Sequence, residues 1–408
     1  MGNWLRAYKE RELPENYFRI EVNILRALGI ELMEEETLKY KIYSRIVLFF
    51  LVYVFTFTET LELYAQWGNL DAIVLVISYL FTHIKGVIKV TLLLYNRKKI
   101  GNILKMLHNK PFAPDSSRGG PIEEKYVRNI IKITETQLVI YFTVVSVTIV
   151  SGAIIFLKSR IFDDKSNWRY PYVPITIINT EDSPLFELVG IYEVTCVLLY
   201  AAIIATTYVL LSTILAHLSV QFKILNNAFR SIRARAKDIN DLHGGDEDNE
   251  NKILSQLLGK YIDHHLSVLN LAAEMEQLCN WMFLVVMLAS VILLCFLLYQ
   301  VSLVSVASVP FVQNFFYYWI VVCQIGMYCY WGDEATFHAA SVAKAAGEVD
   351  WPGAPLHVSK ALVVIIARSQ KPLYVTAGKF VALSMDTFVS IIKGSFSYFM
   401  VLRQTQDE

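Results

Sequence analysis

Apolar residues gather into seven blocks along this chain, at about 42–64, 72–95, 134–157, 186–217, 280–303, 311–331 and 376–402. Each is about as long as a helix must be to cross a hydrocarbon core about 30 Å thick, given a rise of about 1.5 Å per residue. A weaker amphipathic stretch, 355–370, precedes the last block. The fourth block is longer than one crossing requires, which predicts a helix projecting past the bilayer. The pattern therefore predicts an all-α membrane protein with seven transmembrane helices. No internal repeat is evident, which counts against an inverted-repeat transporter.

The connections also carry helical signals. Phe18, Val22, Leu25 and Leu28 recur at helical spacing within 13–36, so an interfacial or bundle-packed helix is expected there. Segment 241–250 is acidic and glycine-bearing, and is expected to be a flexible loop. Ile253, Leu257, Tyr261, His265, Val268 and Leu271 restore helical periodicity over 252–279 and predict a downward extension of the fifth span. The expected organisation is an amino-terminal helical segment (1–41), spans one to four (42–222), a connection and helix (223–279), spans five and six (280–331), a further connecting segment (332–375) and the last span (376–408).

Charge then gives direction. Lys and Arg number eight in residues 1–45, nine in 96–133, seven in 223–270 and four in 332–372. Segments 65–71 and 304–310 have none, and 158–185 balances four basic against four acidic residues. Cytoplasmic connections collect Lys and Arg, so the amino terminus is expected inside and, after seven crossings, the carboxy terminus outside. The long fourth and fifth spans and the helix before the seventh would then build an intracellular helical bundle, where subunits could meet. Residues 1–12 are charged from the start, so no signal peptide is expected and the first span would direct insertion.

Composition adds exclusions. Charged residues are 18% of the chain against about a quarter in soluble proteins. The net charge of zero gives no footprint for nucleic acid. Cys196, Cys279, Cys295, Cys323 and Cys329 sit in or beside apolar blocks without metal-ligand spacing and are expected to be small buried thiols. The eight histidines are scattered, and no phosphate-binding, dinucleotide or nucleophile-elbow motif occurs. Neither catalysis nor a metal or cofactor is expected.

Polar groups inside the spans carry more information, because lipid disfavours them. Lys85 and Lys89 lie one turn apart in span two. They either snorkel to the inner headgroups or pair with acids of the intracellular bundle. In the last span Lys379, Asp386 and Lys393 recur every seven residues and are expected on one side of a helix. A second stripe runs Gly394, Tyr398, Val401 and Thr405 with Gln404 beside it. It suits either helix packing or a pore lining, with Val401 as an apolar constriction. One half of spans two, three, four and six is rich in aromatic and small residues: Val76, Tyr79 and Leu80; Val147, Gly152 and Phe156; Tyr192, Cys196 and Tyr200; Phe315, Tyr318 and Trp319. These could form an interfacial belt or a pocket for a small apolar ligand.

The carboxy-terminal segment resembles the insect odorant receptor family. The resemblance runs from Ser369-Gln370-Lys371-Pro372 through Thr376-Ala377-Gly378-Lys379-Phe380 and Leu383-Ser384-Met385-Asp386-Thr387-Phe388 to Ser397-Tyr398-Phe399-Met400-Val401-Leu402, with Trp351-Pro352 upstream. It implies a ligand-gated, nonselective cation channel, tetrameric, combining an odorant-binding subunit with a shared co-receptor in the membrane of a sensory-neuron dendrite. It further implies that the last span lines the pore, with Val401, Gln404 and Thr405 at the gate, and that the cytoplasmic helices anchor the subunits. The pocket would lie in the outer half between spans two, three, four and six, and hold a volatile odorant. The short connection between spans four and five matches the tuning subunit rather than the co-receptor. Arg403 departs from the more apolar co-receptor pattern, and is expected to face away from the cations or to be diluted by co-receptor subunits. A G-protein-coupled receptor and a gustatory-type channel remain the rival expectations.

Overall fold

The computed structural model describes residues 13, 16–68, 70–164, 168, 170–172, 182–306 and 308–407. A short helix, α1 (Arg19–Ala27), precedes α2 (Leu38–Ala65), whose middle is a π-helical turn over Phe49–Val54. Then follow α3 (Leu70–His108), α4 (Gly120–Phe162), α5 (Leu185–Leu242), α6 (Glu247–Leu303) and α7 (Val309–Gly347). The chain closes with α8 (Leu356–Ser369), a hairpin of β1 (Thr376–Ala377) and β2 (Val381–Ala382), and α9 (Met385–Asp407). Among the described residues, α2, α4, α5 and α6 are long and apolar enough to cross a membrane.

The core is organised around α5, which packs against α4, α6 and α7. From Ala202 to Leu225 nearly every side chain of α5 is buried, as expected of a helix apolar all round. Its 58 residues extend well beyond one crossing, and the 57 of α6 run beside it. The amphipathic α1 lays Phe18, Val22 and Leu25 against this extension. Polar bonds tie the extension together. His264 meets Gln221 at 2.9 Å, Gln221 donates to the Phe112 carbonyl at 3.0 Å, and Asn226 donates to the His338 carbonyl at 2.9 Å.

Several expectations change. The last helix starts at Met385, not 376. Residues 376–382 instead form an antiparallel hairpin pairing Thr376 with Ala382 and Ala377 with Val381. Gly378 and Lys379 both have positive φ, and Phe380 N–H closes the turn on the Ala377 carbonyl at 3.2 Å. Only a turn with two left-handed central residues has this geometry, and glycine enters it freely. Lys379 is therefore at a hairpin tip, and the expected stripe of Lys379, Asp386 and Lys393 does not exist as one helix face.

The acidic 241–250 segment is also mostly helical, leaving His243–Asp246 between α5 and α6. The Asp246 side chain accepts from Asn249 N–H at 3.0 Å, and Glu247, Asp248 and Glu250 occupy the first turn. Acids there complement the helix dipole, so charge starts this helix instead of loosening a loop. All five cysteines are free and four are buried; Cys323 is exposed, contrary to expectation.

Candidate functional site

Four helices line a partly open cavity of about 150 Å³. From α3 come Tyr79, Thr82, His83 and Lys85; from α4, Tyr141, Val144, Val145, Thr148 and Ile149. α5 supplies Val197, Tyr200, Ala201, Ile204, Ala205 and Tyr208, and α7 supplies Gln313, Asn314, Tyr317, Ile320, Val321 and Gln324. On α4, α5 and α7 these positions step by three and four, so each helix gives the cavity one face. Tyr172 comes from the connection after α4. The lining is mostly apolar; Thr82 and Tyr317 form a short hydrogen bond, Tyr200 donates to the His83 carbonyl at 2.5 Å, and the buried hydroxyls of Tyr172 and Tyr208 have no hydrogen-bond partner among the described residues. Gly86 lets Tyr200 approach α3, since a methyl group there would collide with the phenol.

Buried charge surrounds the cavity. His83 Nδ1 lies 2.6 Å from Glu59 of α2, and both side chains are buried. Lys85 and Lys89 are 4% and 1% exposed, so neither snorkels. Lys89 sits 3.0 Å above the Tyr208 ring centre and donates to the Tyr328 hydroxyl at 3.2 Å, which replaces the acidic partner once expected by a π face and a phenol. Among the described residues, no three His, Cys, Asp or Glu are placed to hold a metal.

The residues singled out in the sequence fall in different places. Tyr79 and Tyr200 line the cavity. Val76 and Leu80 are buried in α3 beside it, and Cys196 is buried in α5. Gly152 backs the Tyr172 ring, and Phe156 stacks on Phe186 with centres 5.3 Å apart. Tyr192 packs against Phe55 and donates to the Phe50 carbonyl at 3.4 Å. Val147 is 47% exposed on the outer face of α4. Phe315 and Trp319 are exposed in an aromatic row on α7, with the half-buried Tyr318 beside them, turned from the cavity.

On α9, Gly394 is half-buried, whereas Tyr398, Val401, Arg403 and Gln404 are exposed in the single chain. The side chain of Thr405 lies outside the described residues. The residues missed were those of correct helix but different face. The available signal was the polar set Thr82, Thr148, Gln313, Asn314 and Gln324 within apolar blocks, because intramembrane polar groups turn inward.

Long apolar helices around a partly open apolar cavity define a multi-pass membrane protein. A family model described as 7tm Odorant receptor matches residues 69–396, and the chain belongs to that family, one of receptors rather than enzymes. It is 24% identical over 360 residues to Odorant receptor 10 of Aedes albopictus, covering 86% of this chain and 90% of that one. It is 25% identical over 144 residues to the Odorant receptor coreceptor of Aedes aegypti, covering 35% of this chain and 30% of that one. Matches to Drosophila melanogaster odorant receptors span only 38–41% of those proteins. The fold matches the insect olfactory receptor OR5 of Machilis hrabei, solved with eugenol, at TM-score 0.72 and 16% identity over 95% of this chain and 98% of that one.

Proposed function

We propose that this chain is the odorant-binding subunit of a ligand-gated, nonselective cation channel, assembled as a tetramer with an odorant co-receptor in the plasma membrane of a sensory-neuron dendrite. The carrying observation is the partly open apolar cavity between α3, α4, α5 and α7. Its volume of about 150 Å³ suits a volatile molecule, as an apolar cavity of about that size binds benzene. The four-residue connection His243–Asp246 supports the tuning-subunit assignment. The distribution of Lys and Arg supports seven crossings with the amino terminus inside.

The last helix supplies the gate in this reading. Val401 is 59% exposed in the single chain, with Tyr398 and Gln404 exposed on neighbouring positions. A helix turns about 100° per residue, so Arg403 lies about 200° from Val401 and points away from an axis that Val401 faces. Helix α7 links the two regions: Gln324 lines the cavity, and a methyl group at Gly326 would stand 3.5 Å from Phe388 of α9. An odorant opens the pore only if it binds the open form better, each 1.4 kcal/mol or so of difference shifting the equilibrium about tenfold.

Filling the cavity tests the reading. Val145→Phe or Ala201→Phe, co-expressed with the co-receptor, is expected to abolish odorant-evoked current at unchanged surface level. Val147→Phe, on the outward face of the same helix, is expected to respond normally. Equal currents from filled and unfilled cavities would overturn the assignment.

A further inference from the structure

One cation on the cavity wall has no counter-charge among the described residues. Lys85 lines the cavity and is 4% exposed. Among the described residues, no carboxylate and no hydrogen-bonding group pairs with its ammonium; its nearest aromatic face is Tyr208, at 5.7 Å. Its charged neighbour one turn along is Lys89, of the same sign, whose own needs are met by Tyr208 and Tyr328. The nearby acids are committed elsewhere or lie off the wall. Glu59 holds His83 at 2.6 Å, and Glu62 accepts from Gln66 at 2.7 Å. Glu193 is buried without a hydrogen bond but does not line the cavity. An ammonium without a partner on a mostly apolar wall is unfavourable, and a ligand that supplies an anion offsets part of that deficit on binding, less the cost of desolvating the anion itself.

We propose that Lys85 selects ligands carrying a carboxylic acid on a small apolar body, the carboxylate pairing with the ammonium while Val144, Val145, Ile149, Val197, Ile204 and Ile320 enclose the body. This rests on reading the cavity as the odorant site. The contact is non-covalent, and it is charge-assisted on both sides, hence stronger than an alcohol or ester could make. A site built around one polar partner also rejects analogues lacking it, because its own buried group is then left unpaired. The apolar wall limits the body to about the size of one ring or a short chain.

The test uses the full chain with its co-receptor and four six-carbon probes: hexanoic acid, hexan-1-ol, hexanal and hexan-1-amine. The half-maximal concentration for hexanoic acid is expected to be at least tenfold below that for hexan-1-ol. Lys85→Met should lower the preference for the acid over the alcohol, read as the ratio of the two half-maximal concentrations, at least tenfold, while Lys85→Arg keeps the acid preference; surface level is read by an epitope tag for each. An acid no better than the alcohol, a preference for the amine or the aldehyde, or a Lys85→Met shift equal for acid and alcohol would each refute the proposal. So would a receptor opened by apolar odorants but silent to hexanoic acid, and that outcome would leave the channel reading intact. Silence to every odorant of a broad panel would instead remove the channel reading, and this proposal with it.

Discussion

At the scale of single residues, burial decides what each charge can do. Glu21 of α1 is buried against the bundle, and burial pushes its carboxyl up to about 7. A group raised in the folded state stabilises docking fully below its ordinary pKa, about 4.5, and loses that contribution as pH rises through about 7. The docking of α1 should therefore weaken mainly between about pH 4.5 and 7. Glu21→Gln should remove the dependence and gain up to about 3 kcal/mol at pH 8. Amide exchange across 19–27 at both ends of this pH range checks this; equal slopes for both proteins would disprove it. Hydrophobic periodicity exposed the face that buries Phe18, Val22 and Leu25, but not that Glu21 would be taken in with it. Burial of one residue depends on the helix it meets, here α5, which is remote in sequence. For the same reason Lys85 and Lys89 read as headgroup-seeking or as paired with acids: span two contains no sign of Tyr208 and Tyr328, which reach Lys89 from α5 and α7.

At the scale of elements, the hairpin before α9 shows local chemistry overriding a hydrophobic run. Thr376 N–H donates to Glu276 Oε2 at 2.7 Å, its hydroxyl bonds the other carboxylate oxygen, and Gly378 N–H donates to the Asn280 carbonyl at 2.9 Å. The turn thus clamps the start of α9 to α6. Glu276→Ala should loosen it at a cost of about 1–3 kcal/mol, the range for a charged hydrogen-bond partner lost. The expected readout is faster exchange of the Thr376 and Gly378 amides with α6 itself unaffected; unchanged rates would show that packing alone holds the hairpin. Sequence reading placed these residues in the membrane because apolar content averages over a window. The two positive-φ positions, Gly378 and Lys379, break the helix on a shorter scale than the window sees. The acidic loop failed in the opposite sense, since Asp246 caps a helix whose first-turn acids read as disorder.

At the scale of the whole molecule, orientation is the property most open to direct test. An epitope at the amino terminus of intact cells should stay inaccessible to antibody, and one after Glu408 should be labelled. The reverse pattern, which a G-protein-coupled receptor would give, would sink the topology and move the cavity to the cytoplasmic half. That the chain is built of long apolar helices was legible by itself, because crossing a membrane demands about twenty apolar residues in any fold; how far each helix runs past the apolar block was not. Family membership was legible too, in the segment from Ser369 to Leu402. Tertiary structure alone decided which side of each helix the cavity uses. Val147 and Val145 are chemically identical and two residues apart; one faces outward and the other lines the cavity. In lipid both faces of such a helix are apolar, so hydrophobicity loses the phase that it carries in water, and only the packing of α3, α4, α5 and α7 restores it.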